Sequence, residues 1–146
     1  MRSLPIKGCT VTASLKASLH QHEPDGPGRE ALEVLYRFVA AIELAPTVAI
    51  HSIDRNGLVR FWNHRCAELF GISAVDALGQ PLSSLASHHD EAEFAAVLDS
   101  VWTTGDPQAR DWEVGLRDGS TRWMYSTHFP VLRDGQPQQL FCMEID

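Results

Sequence analysis

The sequence contains no close pair of cysteines, no run of basic residues and no long apolar segment, and each absence removes a class of function. Its three cysteines, Cys9, Cys66 and Cys142, are odd in number, far apart and without a C-x-x-C spacing. That argues against a disulfide framework or a structural zinc site and fits a reducing cytoplasm. Lysine and arginine total 12 against 19 acidic residues, for a formal net charge of −7. Without a basic cluster, a surface for nucleic acid has no support. No stretch approaches the roughly 20 apolar residues of a membrane span, and the N-terminal segment lacks the apolar core of a signal peptide. The expectation is a cytoplasmic domain with no membrane or nucleic-acid partner. Catalytic signatures are missing as well: there is no G-x-S-x-G, P-loop, H-E-x-x-H or Gly-rich dinucleotide loop, so the chain reads as a non-enzyme.

What is present is a sequence of strongly punctuated elements. Residues 1–28 are polar, end in the Pro/Gly-rich "QHEPDGPG" and read as a flexible tail. Residues 29–45 carry Leu32, Leu35, Tyr36, Val39 and Ile42 at spacings of three and four until Pro46 ends the run, which predicts an amphipathic helix needing a partner surface. "TVAIHSIDRNGLVRFWN" is two β-rich runs, 48–53 and 58–62, around an Asn56-Gly57 hairpin signal. Short helical pieces follow: "NHRCAELFG" with Asn63 as N-cap and Gly71 as stop, "SAVDALG" between Ser73 and Gly79, and "PLSSL" opened by Pro81. A longer helix is expected over about 90–104, with Phe94, Val97, Leu98, Val101 and Trp102 as its apolar stripe and Gly105 as its end. Three strands near 111–117, 120–132 and 138–145 then meander through two Arg-Asp-Gly turns, at 117–119 and 133–135. Strands, helices and strands again exclude a parallel α/β sheet. The order predicts an α+β fold, one five-stranded antiparallel sheet with short helices on one face, preceded by the N-terminal helix.

Over 46–146 this order resembles the PAS domain family, sensory modules of bacterial signalling proteins. "SIDRNGLVRFWNHRCAELFGIS" is similar to that family's strand, Asp-x-x-Gly turn, strand, Asn, helix and Phe-Gly-aliphatic run; "SHHDEAEFAAVLDSVWTTG", "RDGSTRWMY", "FPVLRDGQP" and "FCMEID" resemble its later helix, last hairpins and final strand. The resemblance implies a sensory role with a conformational output to a kinase, a cyclic-dinucleotide enzyme or a DNA-binding domain, attached or separate. It also implies that Asp146 stands at the junction to such an effector. The chain is then either the sensory piece of a longer protein or a stand-alone module.

Period-two assignment puts Trp112, Val114 and Leu116 on the core side of their strand. In the long strand, hydrophobicity alone would bury Trp123, Tyr125 and Phe129, whereas the resemblance favours burying Met124, Ser126 and His128. The second choice makes Trp123, Tyr125 and Phe129 an outer apolar strip that the helix at 29–45, through Leu35 and Val39, would cover, either from the same chain or exchanged with a second copy, and the expectation is a homodimer through this face. The candidate ligand pocket is Phe61, Leu69, Phe94, Leu98, Trp112, Val114, Met124, Ser126 and His128. Two readings stay open beside a ligand sensor: a pure interaction and dimerisation module with a filled core, and a small α+β cone that binds or isomerises an apolar molecule with His128 as base.

No cofactor is assigned. Light-sensing relatives attack flavin with a cysteine in an Asn-Cys-Arg-Phe-Leu-Gln motif on a later helix, while Cys66 lies just after the first hairpin and reads as a buried small side chain. Haem-binding relatives place a histidine where this chain has Phe94. His88 and His89 come too early for that, and adjacent histidines on an extended segment point apart, so no metal site is expected.

Overall fold

The computed structural model describes residues 27–146. It divides at Ile42/Glu43 into two units, so the first helix and the sheet domain are described separately. Residues 1–26 of the expected tail lie outside the described residues. Helix α1 (Pro27–Glu43) matches the expected periodic segment; along it Val34, Leu35 and Phe38 are exposed and Val39 is half-buried.

The second unit is a single antiparallel sheet flanked by helices. Its strands are β1 (Ala49–Ile53), β2 (Val59–Trp62), β3 (Ser87–His88), β4 (Gln108–Gly115), β5 (Thr121–Arg133) and β6 (Gln136–Ile145), in the spatial order β2-β1-β6-β5-β4-β3. Five strands were expected. The sixth, β3, is two residues long and pairs Ser87 with Gly115 and His88 with Val114, too short to leave an alternating pattern in the sequence. Helices α2 (His64–Phe70), α3 (Ala74–Ala77) and α4 (Glu91–Thr104), with a 3-10 turn at Leu82–Ser84, complete the unit.

The turns follow from their residues. Asp54 Oδ1 accepts hydrogen bonds from the Asn56 and Leu58 amides, while Oδ2 binds the Arg60 guanidinium at 2.6 and 2.8 Å. Gly57 supplies the positive φ that closes the hairpin. At the β5–β6 hairpin Asp134 and Gly135 both have positive φ, 52° and 74°, as a two-residue turn matched to the strand twist requires.

Asn63 joins sheet to helix. Its Oδ1 accepts from both the Ile50 and Cys66 amides at 3.0 Å, and its Nδ2 donates to the Val48 carbonyl. The side chain is thus the N-cap of α2 and a clasp on β1 at once, and it is fully buried. Beneath it Trp62 packs on Phe70 and donates Nε1–H to the Ile72 carbonyl. Trp62, Cys66, Phe70, Ile72, Leu82, Val101, Trp112, Val114, Met124 and Leu140 belong to one core between the sheet and the helices.

Candidate functional site

Strand pairing sorts the sheet into two faces. Ladder partners place His128 of β5 opposite Cys142 of β6, and Cys142 opposite His51 of β1, so these three side chains form one transverse row. The next row pairs Ser126 with Glu144 and Glu144 with Ala49, and the one beyond pairs Trp112 with Met124. These rows share the face on which the core lies, since Ala49, Trp112 and Met124 are core members. The long strand resolves accordingly: Met124, Ser126 and His128 are fully buried, while Trp123 and Tyr125 are 68% and 51% exposed and Phe129 is half-buried.

The inner face is unusually polar for a core. His51, Ser126, His128 and Glu144 are all at most 3% exposed, and Trp112 is 4% exposed. Among the described residues, both ring nitrogens of His51 and of His128, Ser126 Oγ, Trp112 Nε1 and Glu144 Oε2 have no hydrogen-bond partner. Each such group ordinarily costs on the order of 1–3 kcal/mol. Desolvation also controls their charge. Burial lowers His51 to about 3, reinforced by His128 and His88; burial and then His128 lower His88 to about 4; burial alone lowers His128 to about 4. The opposite shift holds for acids: burial raises Glu144 to about 7 and pushes the Cys66 and Cys142 thiols well above their usual range.

Four rings close this face on the α4 side. His88 stacks on Phe94 with centroids 3.5 Å apart, and Trp112 and His128 meet Phe94 edge-on at 5.3 and 5.6 Å. Arg110 lies over the Trp112 ring at 4.7 Å and is tied to Glu93 at 2.7 Å. His88 and Phe94 also line a cavity of about 290 Å³ whose walls include Ile53, Leu82, Ala86, Glu91 and Leu98.

Of the nine residues expected to form a pocket, Phe94 and Leu98 line this cavity. Trp112, Met124, Ser126 and His128 lie on the inner face but are not among the residues that line the cavity; Val114 is in the core and Leu69 is half-buried against it. Phe61 is a correction. It pairs with Ser52 and packs on Phe141, which in turn stacks on Phe129, so it belongs to the outer face. The cause is a β-bulge: Val59 pairs with Ile53 and Phe61 with Ser52, which leaves Arg60 as an extra residue, and strict alternation fails between them. His51 and Glu144 escaped the sequence reading. Alternation in "AIHSI" and "LFCME" was the available signal, but either parity gives a plausible apolar face until the ladder fixes one.

At the end of β6, Asp146 accepts from Arg122 of β5 at 2.6 Å and from Arg65 of α2 at 3.2 Å. Burial opposes ionisation of this carboxyl, but the hydrogen bonds from the two arginines outweigh it and hold the group below the usual carboxylate range. The residue that follows β6 is thereby connected to β5 and to α2.

A family model described as the PAS fold matches residues 46–146. The chain belongs to the PAS family. Among curated proteins this PAS domain is similar to a phytochrome of Picea abies, 46% identical over 59 residues that make up 40% of this chain and 5% of the phytochrome. The chain spans at most 10% of the length of the phytochromes it matches. Among solved structures it is similar to the PAS domain of a protein from Colwellia psychrerythraea, with TM-score 0.66, 23% identity, and coverage of 77% of this chain and 96% of that one. A second likeness is to the PAS domain of nitrogen regulation protein NR(II) from Vibrio parahaemolyticus, with TM-score 0.60, 23% identity, and coverage of 72% and 93%. These likenesses show a PAS fold and remove the α+β cone from consideration. Among the described residues, no helix is long and apolar enough to cross a membrane.

Proposed function

We infer that this PAS domain is a cytoplasmic sensory module whose inner face receives a small molecule and whose last strand carries the response to an effector. The observation behind this reading is the set of buried polar groups without partners on β1, β4, β5 and β6. A filled, inert core would ordinarily replace them with apolar side chains, because buried polar groups are normally paired. β6 links site to output: Cys142 and Glu144 contribute to the inner rows, and Asp146, two residues on, is held by Arg122 and Arg65. A ligand that favours one arrangement of β6 shifts the population of that arrangement by its differential affinity. The effector would be a kinase, a cyclic-dinucleotide enzyme or a DNA-binding domain, and the module itself performs no catalysis.

Native mass spectrometry of freshly purified protein tests the ligand. An added mass lost on denaturation supports a sensor; a bare mass, together with an inner face inaccessible to any added small molecule, refutes it. A second reading, an interaction module, draws on the outer face, where Trp123, Tyr125 and Ile145 are exposed. Such an apolar strip suits a homodimer, with the apolar residues Leu35 and Val39 of α1 as the other candidate contacts. A protein that stays monomeric at high micromolar concentration in light scattering would exclude that mode.

A further inference from the structure

A second hollow, a groove of about 440 Å³, lies where β3 meets the end of β4. One wall comes from α3 and the loop after it, through Asp76 and Gln80; another comes from β3 and the end of β4, through Ser87, Gly115 and Arg117. The groove shares Ser83 and Ala86 with the 290 Å³ cavity, but no residue of the inner polar rows lines it. Its apolar members Ile72, Leu85 and Leu116 are buried or half-buried, whereas Asp76, Gln80, Ser87 and Arg117 are exposed. The result is an apolar bottom under a polar rim, of a size that small-molecule sites have.

Two opposite charges stand on that rim, and they are the only charged side chains that line the groove: Asp76 and Arg117. Among the described residues no ion pair joins them to each other or to anything else. The Asp76 carboxylate accepts from the Ser73 hydroxyl at 2.7 Å, which leaves its other oxygen open. An anionic guest would meet Asp76 as a like charge, and a cationic guest would meet Arg117. A guest carrying both charges avoids each repulsion and offers a charge-assisted hydrogen bond to both groups.

Gly115 points to the same place. Its φ is not positive, so the backbone conformation does not demand a glycine there, and a glycine inside a strand weakens it. The demand is one of space: a Cβ at this position would stand 2.5 Å from Ser87 Oγ. The missing side chain lets the Ser87 hydroxyl lie against the strand in the groove wall, where it has no hydrogen-bond partner among the described residues and can donate or accept. Arg117 follows two positions beyond Gly115, whose ladder partner is Ser87, so hydroxyl and guanidinium belong to one wall.

We propose that this groove is a binding site, separate from the inner face, for a zwitterionic amino acid with an apolar side chain. Arg117 and the Ser87 hydroxyl hold the carboxylate, Asp76 and the Gln80 amide oxygen hold the ammonium, and the side chain rests on Ile72, Leu85 and Leu116. The proposal goes beyond the sensory reading above and does not depend on it.

The experiment titrates the full ¹⁵N-labelled chain with L-leucine and with two analogues that each lack one charge: 4-methylpentanoate, without the ammonium, and 3-methylbutylamine, without the carboxylate. The backbone amides of Ser87, Gly115 and Arg117, the Arg117 Nε–H and the Gln80 side-chain amide report the groove. The expected result is that leucine moves these signals and binds at least about tenfold more tightly than either analogue, because each lost charge removes a charge-assisted hydrogen bond and leaves the other beside a like charge. Arg117→Gln should weaken leucine about tenfold without weakening the amine, and Asp76→Asn should weaken leucine about tenfold without weakening the carboxylate. Both positions are exposed, so the fold tolerates either change. The proposal is overturned if millimolar leucine leaves the groove signals in place, if either analogue binds as tightly as leucine, or if both variants keep the wild-type affinity. Since no residue of the inner polar rows lines the groove, its failure would leave the inner-face reading standing.

Discussion

Three buried histidines should make this protein acid-sensitive in a defined pH window. In the unfolded chain a histidine takes up its proton near 6.5; in the fold His51 resists until about 3, and His88 and His128 until about 4. Between those limits the unfolded chain binds more protons than the folded one, so stability falls as pH falls from about 6.5. Each group loses about 1.4 kcal/mol per pH unit; at pH 5 the three together cost about 6 kcal/mol, comparable to the whole stability of a small domain. Glu144 acts in the opposite sense. Its folded value of about 7 lies above the ordinary 4.5, so the folded state keeps a proton that the unfolded state releases. Its contribution is lost as pH rises from 4.5 to 7, by about 3 kcal/mol. From 4.5 to 6.5 the histidines outnumber it, and the stability maximum is expected near pH 6.5. Urea unfolding followed by circular dichroism from pH 4 to 8 measures the curve. His51→Phe and His128→Leu should each reduce the acid slope by about 1.4 kcal/mol per pH unit, while leaving stability at pH 7 no worse than the loss from imperfect packing. An acid slope that persists unchanged in the double variant would refute the reasoning, as would a stability maximum below pH 5.

Other substitutions have separable outcomes. Asn63→Ala removes the N-cap of α2 and leaves the buried Ile50 amide without its acceptor; a loss of about 2–4 kcal/mol is expected in chemical denaturation. Gly135→Ala, at φ 74° in the β5–β6 turn, should cost about 1 kcal/mol, and Gly135→Asn less, as read from melting temperatures. Trp123→Ser with Tyr125→Ser should shift sedimentation toward monomer without lowering the melting temperature, because both side chains are mostly exposed in the isolated chain. Reversing the Arg122–Asp146 pair as Arg122→Asp with Asp146→Arg should restore whatever effector output either single change removes. The surface pair itself contributes less than about 1 kcal/mol to stability.

The local punctuation was legible in the sequence because it is enforced by single residues. Asp54, Asn56 and Gly57 specify a hairpin through backbone hydrogen bonds and positive φ; Asn63 and Gly71 bound α2; Asp90 and Gly105 bound α4. Those requirements act over a few bonds, so they survive without knowledge of the rest of the chain. The placement of Met124, Ser126 and His128 inside went against hydrophobicity and needed the family resemblance to be expected at all. Phe61 was misplaced because one bulged residue, Arg60, reverses the alternation on which face assignment depends.

What the sequence by itself determined, then, is the succession of elements, their caps and turns, and the absence of charge patterns or motifs that other functions require. Only the tertiary structure decided which strands become neighbours. That ordering brings His51, His128 and Cys142, the first and last of which are 91 positions apart in the chain, into one row through two ladders. Pairing between distant strands is set by the collective fit of a whole sheet against its helices, and no short stretch carries that information. The candidate site consists of side chains from β1, β3, β4, β5, β6 and α4 that meet only after that fit is made.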